Sequence, residues 1–248
     1  MPGENILVIA VDGLRAASLG AYGNTSFATP ELDQLAAESY LLDNCYADAV
    51  ELAQIYRAIW QSAHPLRDAS TIATPALPRL LADRGYIAKL VTDEPALAQF
   101  PEASAFEDVL QLADVVPARA EDVSQTALAR LFTATCDAMQ SASSRQLVWL
   151  HARGLYGPWD APLALQEALL EREEGDPPPC DELLPPEITL DGSHDPDTAF
   201  RWSCAYNAQV MVLDACVGAI RAALAEATAG PWLVVLLGLR GFPLGEHG

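Results

Sequence analysis

The sequence predicts an α/β fold with a mostly parallel central sheet and helices on both faces. Three observations predict it. Short continuous apolar runs recur along the chain: NILVIAVD, YIAKLVT, QLVWLH and PWLVVLLGL. Runs without alternation belong to strands buried on both faces. Helical segments fall between these runs, and alternation of strand and helix builds parallel sheets. Of the 248 residues, 51% are hydrophobic, which suffices for one large core.

The elements follow in order. Asn5 to Asp12 reads as the first strand. TPELDQLAAES is a helix start: Thr29 suits the N-cap, Pro30 the first helical position and Glu31 the positive end of the helix dipole. SYLLDNCYA reads as a second extended piece, and Glu51 to Ser62 as a helix. In TPALPRLLADRG, Thr74 and Pro75 open a helix and Gly85 closes it. Tyr86 to Thr92 is a strand. VSQTALARLFTATCDAMQSA is a helix, and Gln146 to His151 a strand. Residues Glu171 to Asp197 hold ten acidic residues and six prolines, as expected of a solvated loop or small subdomain. A long helix spans Ala199 to Ala227, with Tyr206, Val210, Leu213, Val217, Ile220 and Leu224 on one stripe. No internal repeat or second domain is visible, so residues 1–248 read as one domain.

Charge excludes two partner classes. There are 34 acidic and 14 basic residues, a net charge of −20. Such a surface repels nucleic acid and anionic membrane. The longest apolar run is too short to span a bilayer. MPGENILVIAVDGL lacks a basic leading region, so it reads as a strand and not as a signal peptide. Five cysteines, Cys45, Cys136, Cys180, Cys204 and Cys216, form no C-x-x-C pair and read as mostly buried reduced thiols. A cytoplasmic protein is the expectation.

Several motifs, in order, resemble one family. NILVIAVDGLR, LGAYGN, TPELDQLAAES, DNCYA, LVWLHARGLYGPWDAP, AYNAQVMVLDACVGAI and the closing LGEHG are similar to the sulfatases of the alkaline phosphatase superfamily. The resemblance runs from Asn5 to Gly248. It implies the same α/β domain without the family's C-terminal subdomain. It also implies where the chemistry should sit: a divalent cation on hard oxygen ligands, a nucleophile, and basic groups around the sulfate.

Position by position, this chemistry is missing. Asp12 matches the first metal ligand, but its acidic neighbour is Gly13. The nucleophile position is Ala53, and a methyl group can neither ionise nor attack. Arg57 remains from that motif. The Lys and His that face the sulfate are Asp93 and Pro95. The loop His is Tyr156, and His151 matches a family position at a strand end. The second metal pair is Leu239 and Arg240, neither of which can donate a lone pair to a hard cation.

Each remnant has a plainer reading. Asp12 can cap local amides at a strand end. Arg57 can clamp an anion or pair with an acidic neighbour. His151 reads as a hydrogen-bonded structural residue. Arg240 is either solvent-facing or paired with Asp12, its guanidinium standing in for the cation. Glu246 and His247 suggest acid–base chemistry, but the resemblance makes GEHG a turn beside the site. Three functions stand side by side. The first is a catalytically inactive domain with a scaffold, binding or regulatory role, needing no cofactor and working through a protein partner or a homo-oligomer. The second is a hydrolase of sulfate or phosphate esters with a rearranged site. It would use one calcium or magnesium ion, with Glu246, His247, His151 or Tyr156 helping. The third is a remnant with an exposed sheet edge.

Overall fold

The computed structural model describes residues 5–68, 74–114, 116–140, 145–170, 177–188, 195–227 and 230–244. Five strands form one sheet: β1 (Asn5–Val11), β2 (Ile87–Thr92), β3 (Asp108–Gln111), β4 (Gln146–Ala152) and β5 (Trp232–Gly238). Their order is β3-β2-β4-β1-β5, and every pairing is parallel. The apolar run of β4 is buried at every position, as expected of an interior strand covered on both faces. β3 was not legible in the sequence. It is a four-residue edge strand, exposed throughout, and carries no apolar run.

Helices cover both faces. On one side lie α1 (Pro30–Ala37), α5 (Ala127–Gln140), α6 (Leu163–Leu169) and α7 (Pro196–Glu226). The predicted stripe of α7 is their shared core, with Tyr206, Val210, Leu213, Val217 and Ile220 all buried. By length and composition α7 could cross a membrane, but half of its most apolar stretch is buried within the fold. On the other side lie α2 (Leu52–Gln61), α3 (Leu77–Ala82) and α4 (Pro95–Ala98). There Trp60 sits between Tyr56, Trp149 and Phe106, with ring centroids 4.5, 5.6 and 5.4 Å away. Aromatic edge-to-face contacts of this kind orient α2 on the sheet.

Three local expectations are corrected. Residues 39–51 form no strand; Tyr40, Leu42, Tyr46 and Val50 are exposed there and find no neighbouring strand to pair with. Thr29 does not cap α1. Its hydroxyl donates to Asp33, while the buried Asp214 carboxylate on α7 accepts from the Leu32 amide at 2.9 Å. α3 begins at Leu77, with Pro78 in its first turn, rather than at Thr74. In the acidic excursion, the described residues 177–188 are largely exposed, as expected of a solvated loop, and are tied to the body at a few points. Trp159 N donates to Leu183 O at 2.7 Å, and Cys180 N to the buried Gln166 side chain at 3.0 Å.

Candidate functional site

Ligands of open α/β sheets bind at the carboxyl ends of the strands. Here those ends bring together Asp12 after β1, Asp93 after β2, His151 on β4 with Arg153 just after it, and Leu239 and Arg240 after β5. The loop after β4 adds Tyr156. Sequence reading placed all of these at one rim except Arg153.

Asp12 is the centre of the cluster and is 1% exposed. Arg240 reaches it from the neighbouring strand end. Its Nε donates to Asp12 Oδ1 at 2.8 Å, and its Nη2 donates to Oδ2. Nη1 donates to the Val50 carbonyl at 3.2 Å. The guanidinium lies 4.6 Å from the centroid of the Tyr156 ring, a cation–π contact. Tyr156 is held in turn by a hydrogen bond from its hydroxyl to Gly241 O, 3.2 Å, and by an edge contact with Phe242. Of the two readings of Arg240, the geometry is that of the ion pair.

Gly13 has φ +84, and a Cβ there would lie 3.0 Å from both Leu155 Cβ and Tyr156 Cδ2. The backbone conformation and the crowding both resist a side chain at this position. Tyr206, on α7, fixes the same turn: its hydroxyl donates to Gly13 O at 2.7 Å and accepts from Arg15 N at 3.1 Å. Leu239 is 3% exposed and belongs to the core under α2.

A divalent cation of the calcium or magnesium type needs about six oxygen ligands. The residues present do not fit one. Asp12 has both oxygens engaged by Arg240, Gly13 has no room for a carboxylate, and Leu239 is core. Among the described residues, no group of three or more His, Cys, Asp or Glu side chains is placed to hold a metal.

The anion-facing positions have become local structure. Glu94 caps α4, its Oε1 accepting from Ala96 N at 2.9 Å, and Pro95 opens that helix. Asp93 Oδ1 accepts from Arg153 N at 2.8 Å. Burial outweighs this bond and the nearby guanidinium, raising the Asp93 carboxyl to about 6. Arg153 turns outward to Asp114 at 2.8 Å.

His151 is fully buried and belongs to a chain running inward. Trp149 Nε1–H points at the Tyr56 oxygen at 3.3 Å, and Tyr56 lies 2.7 Å from His151 Nδ1. The tyrosine oxygen accepts from Trp149, and it shares its second hydrogen bond with Nδ1, in a direction set by the imidazole tautomer. Among the described residues Nε2 meets no hydrogen-bond partner. Burial, with the cations Arg240 and Arg153 nearby, lowers the His151 pKa to about 3. A histidine so held stays neutral, which agrees with a structural role. Burial also raises the Tyr56 pKa above its ordinary value. Tyr56 and Trp149 were missed in the sequence because their polar atoms act through partners far along the chain.

Ala53 stands in the exposed first turn of α2, and Arg57 is partly exposed one turn on. Glu246 and His247 lie outside the described residues, as does His194.

The family model described as Sulfatase matches residues 4–248. Human N-acetylgalactosamine-6-sulfatase is 31% identical over 107 residues, a match that covers 35% of this chain and 20% of that protein. The fold is similar to the phosphonate monoester hydrolase of Agrobacterium radiobacter, with TM-score 0.74 and 14% identity, over 99% of this chain and 64% of that one. It is also similar to the C-terminal periplasmic domain of the phosphoethanolamine transferase EptC from Campylobacter jejuni. That likeness has TM-score 0.72 and 16% identity, over 100% of this chain and 72% of that one. The match thus spans about a fifth of the human protein, and the chain about two thirds of the hydrolase.

Proposed function

Because this chain belongs to the sulfatase family, we propose that it is a sulfatase-like domain that does not hydrolyse esters and acts by binding, as a scaffold or regulator. One observation carries this reading. The position that matches the family's nucleophile is Ala53, and the one hydroxyl on α2, that of Tyr56, is buried against His151. No group on that helix can attack a sulfur or phosphorus centre. A fold shared with hydrolases does not itself supply their chemistry.

The domain works without a cofactor and through a protein partner or a second copy of itself. The exposed apolar residues Tyr40, Leu42, Tyr46 and Val50, the last of which touches Arg240 through its carbonyl, support a binding role. Five unpaired thiols support a reducing, cytoplasmic setting.

The test is turnover. The purified protein is incubated with 4-nitrophenyl sulfate, 4-nitrophenyl phosphate and a phenylphosphonate monoester, with calcium, magnesium, manganese or zinc. Release of nitrophenol or phenol should stay at the buffer rate. Saturable, metal-dependent turnover would overturn the reading. It would favour the ester hydrolase with a rearranged site, for which the unpartnered Nε2 of His151 is the feature in its favour.

A further inference from the structure

We propose that Arg240 is a built-in cation that stands where the family holds its divalent ion, and that it makes the joint between β1 and β5 independent of metal. The joint is made of few parts. Leu239 N donates to Val11 O at 2.9 Å, and Gly13 N to Arg240 O at 3.0 Å. These two bonds carry the β1–β5 pairing up to two residues past the strand ends, to Gly13 and Arg240. They also bring the Asp12 carboxylate and the Arg240 side chain to the same end of the sheet.

Charge closes locally. One buried carboxylate meets one guanidinium, and both of its oxygens are engaged. A divalent ion at the same place would leave a positive charge uncompensated. The shape of the cation matters as much as its sign. The planar fork of arginine matches both carboxylate oxygens, its outer edge reaches Val50 O, and its flat face lies on Tyr156. An ammonium offers one point charge and no flat face. Tyr156, the residue in place of the family's loop histidine, is thereby the support of the replacement cation.

This inference is independent of catalysis, so turnover assays cannot decide it. The experiment is thermal denaturation of the full chain and of three variants, Arg240→Ala, Arg240→Lys and the double variant Asp12→Asn/Arg240→Ala. Each is measured with chelator, with millimolar calcium or magnesium, and with millimolar guanidinium chloride, far below denaturing levels.

The wild-type Tm should not move with chelator or with either metal. Arg240→Ala leaves a buried carboxylate unpaired and should lower Tm by about 5–10 °C. Guanidinium should restore part of that loss, and calcium or magnesium should not. Arg240→Lys should fall between. The double variant carries no buried charge, so it should melt above Arg240→Ala and show no rescue. If Arg240→Ala fails to fold, folding of the double variant supports the proposal by itself. A wild-type Tm for Arg240→Ala would overturn it. So would a chelator that lowers the wild-type Tm, or equal rescue of the single and double variants.

Discussion

Replacing Asp93 by asparagine should make the protein's stability relative to wild type depend on pH, in a direction opposite to most carboxylates. Asparagine keeps an oxygen to accept the Arg153 amide but cannot ionise. In the native chain, burial moves the Asp93 carboxyl from 3.8 to about 6. A carboxyl raised in the folded state favours folding below its unfolded pKa. That contribution is lost as pH rises through the folded value. The window is therefore about pH 4 to 6. At about 1.4 kcal/mol per pH unit, the displacement is worth roughly 3 kcal/mol at most. The stability of Asp93→Asn minus that of wild type should thus rise by up to about 3 kcal/mol between pH 4 and pH 7. Other groups titrate alike in both proteins and cancel. The assay is urea denaturation of both at half-unit steps from pH 4 to pH 8. A difference that is flat across this range would refute the argument. A difference that falls with pH would show that Arg153, rather than burial, controls Asp93.

Two further perturbations follow from the turn that carries Asp12. Tyr206→Phe keeps the ring but removes the oxygen that serves both Gly13 O and Arg15 N. The loss should be about 2–3 kcal/mol, read as a Tm lower by about 4–10 °C, and a change under about 1 °C would show that water replaces the hydroxyl there. Gly13→Ala meets Leu155 and Tyr156 at a positive φ, and should cost about 1–3 kcal/mol by denaturant unfolding.

The fold was largely legible in the chain because its strands carry strong, continuous apolar runs. β1, β2, β4 and β5 each appear in the sequence within a residue or two of their observed bounds. β3 was not, because an exposed four-residue edge strand needs no apolar signal. Residues 39–51 misled in the other direction: Tyr40, Leu41, Leu42 and Tyr46 look like strand residues, but among the described residues no strand pairs with them. The capping of α1 was misread for a different reason. A threonine beside the helix is visible locally, whereas the real cap, Asp214, lies 182 residues from the amide it accepts.

The site divides similarly. Which positions meet at the strand ends followed from motif order. That Arg240 and Asp12 could pair followed from a ligand position having become a cation. What those residues rest on did not. Tyr206 read as one member of an apolar stripe and Tyr56 as one helical residue, because hydrogen bonding by a hydroxyl leaves no trace in periodicity.

The Asp12–Arg240 pair spans 228 residues of chain. A ribosome adding about 5–20 residues per second completes that interval in roughly 10–45 s. For that time β1 has emerged and the counter-charge of Asp12 has not. Even its other neighbour is late: Gln146, which donates to the Asn5 side chain, follows it by 141 residues. Of these five strands β1 is therefore among the last to be enclosed. A sheet assembled in this order is slow by topology, since its pairings are nearly all long-range. The nascent chain must shelter an apolar segment ending in an aspartate while the rest is still being made.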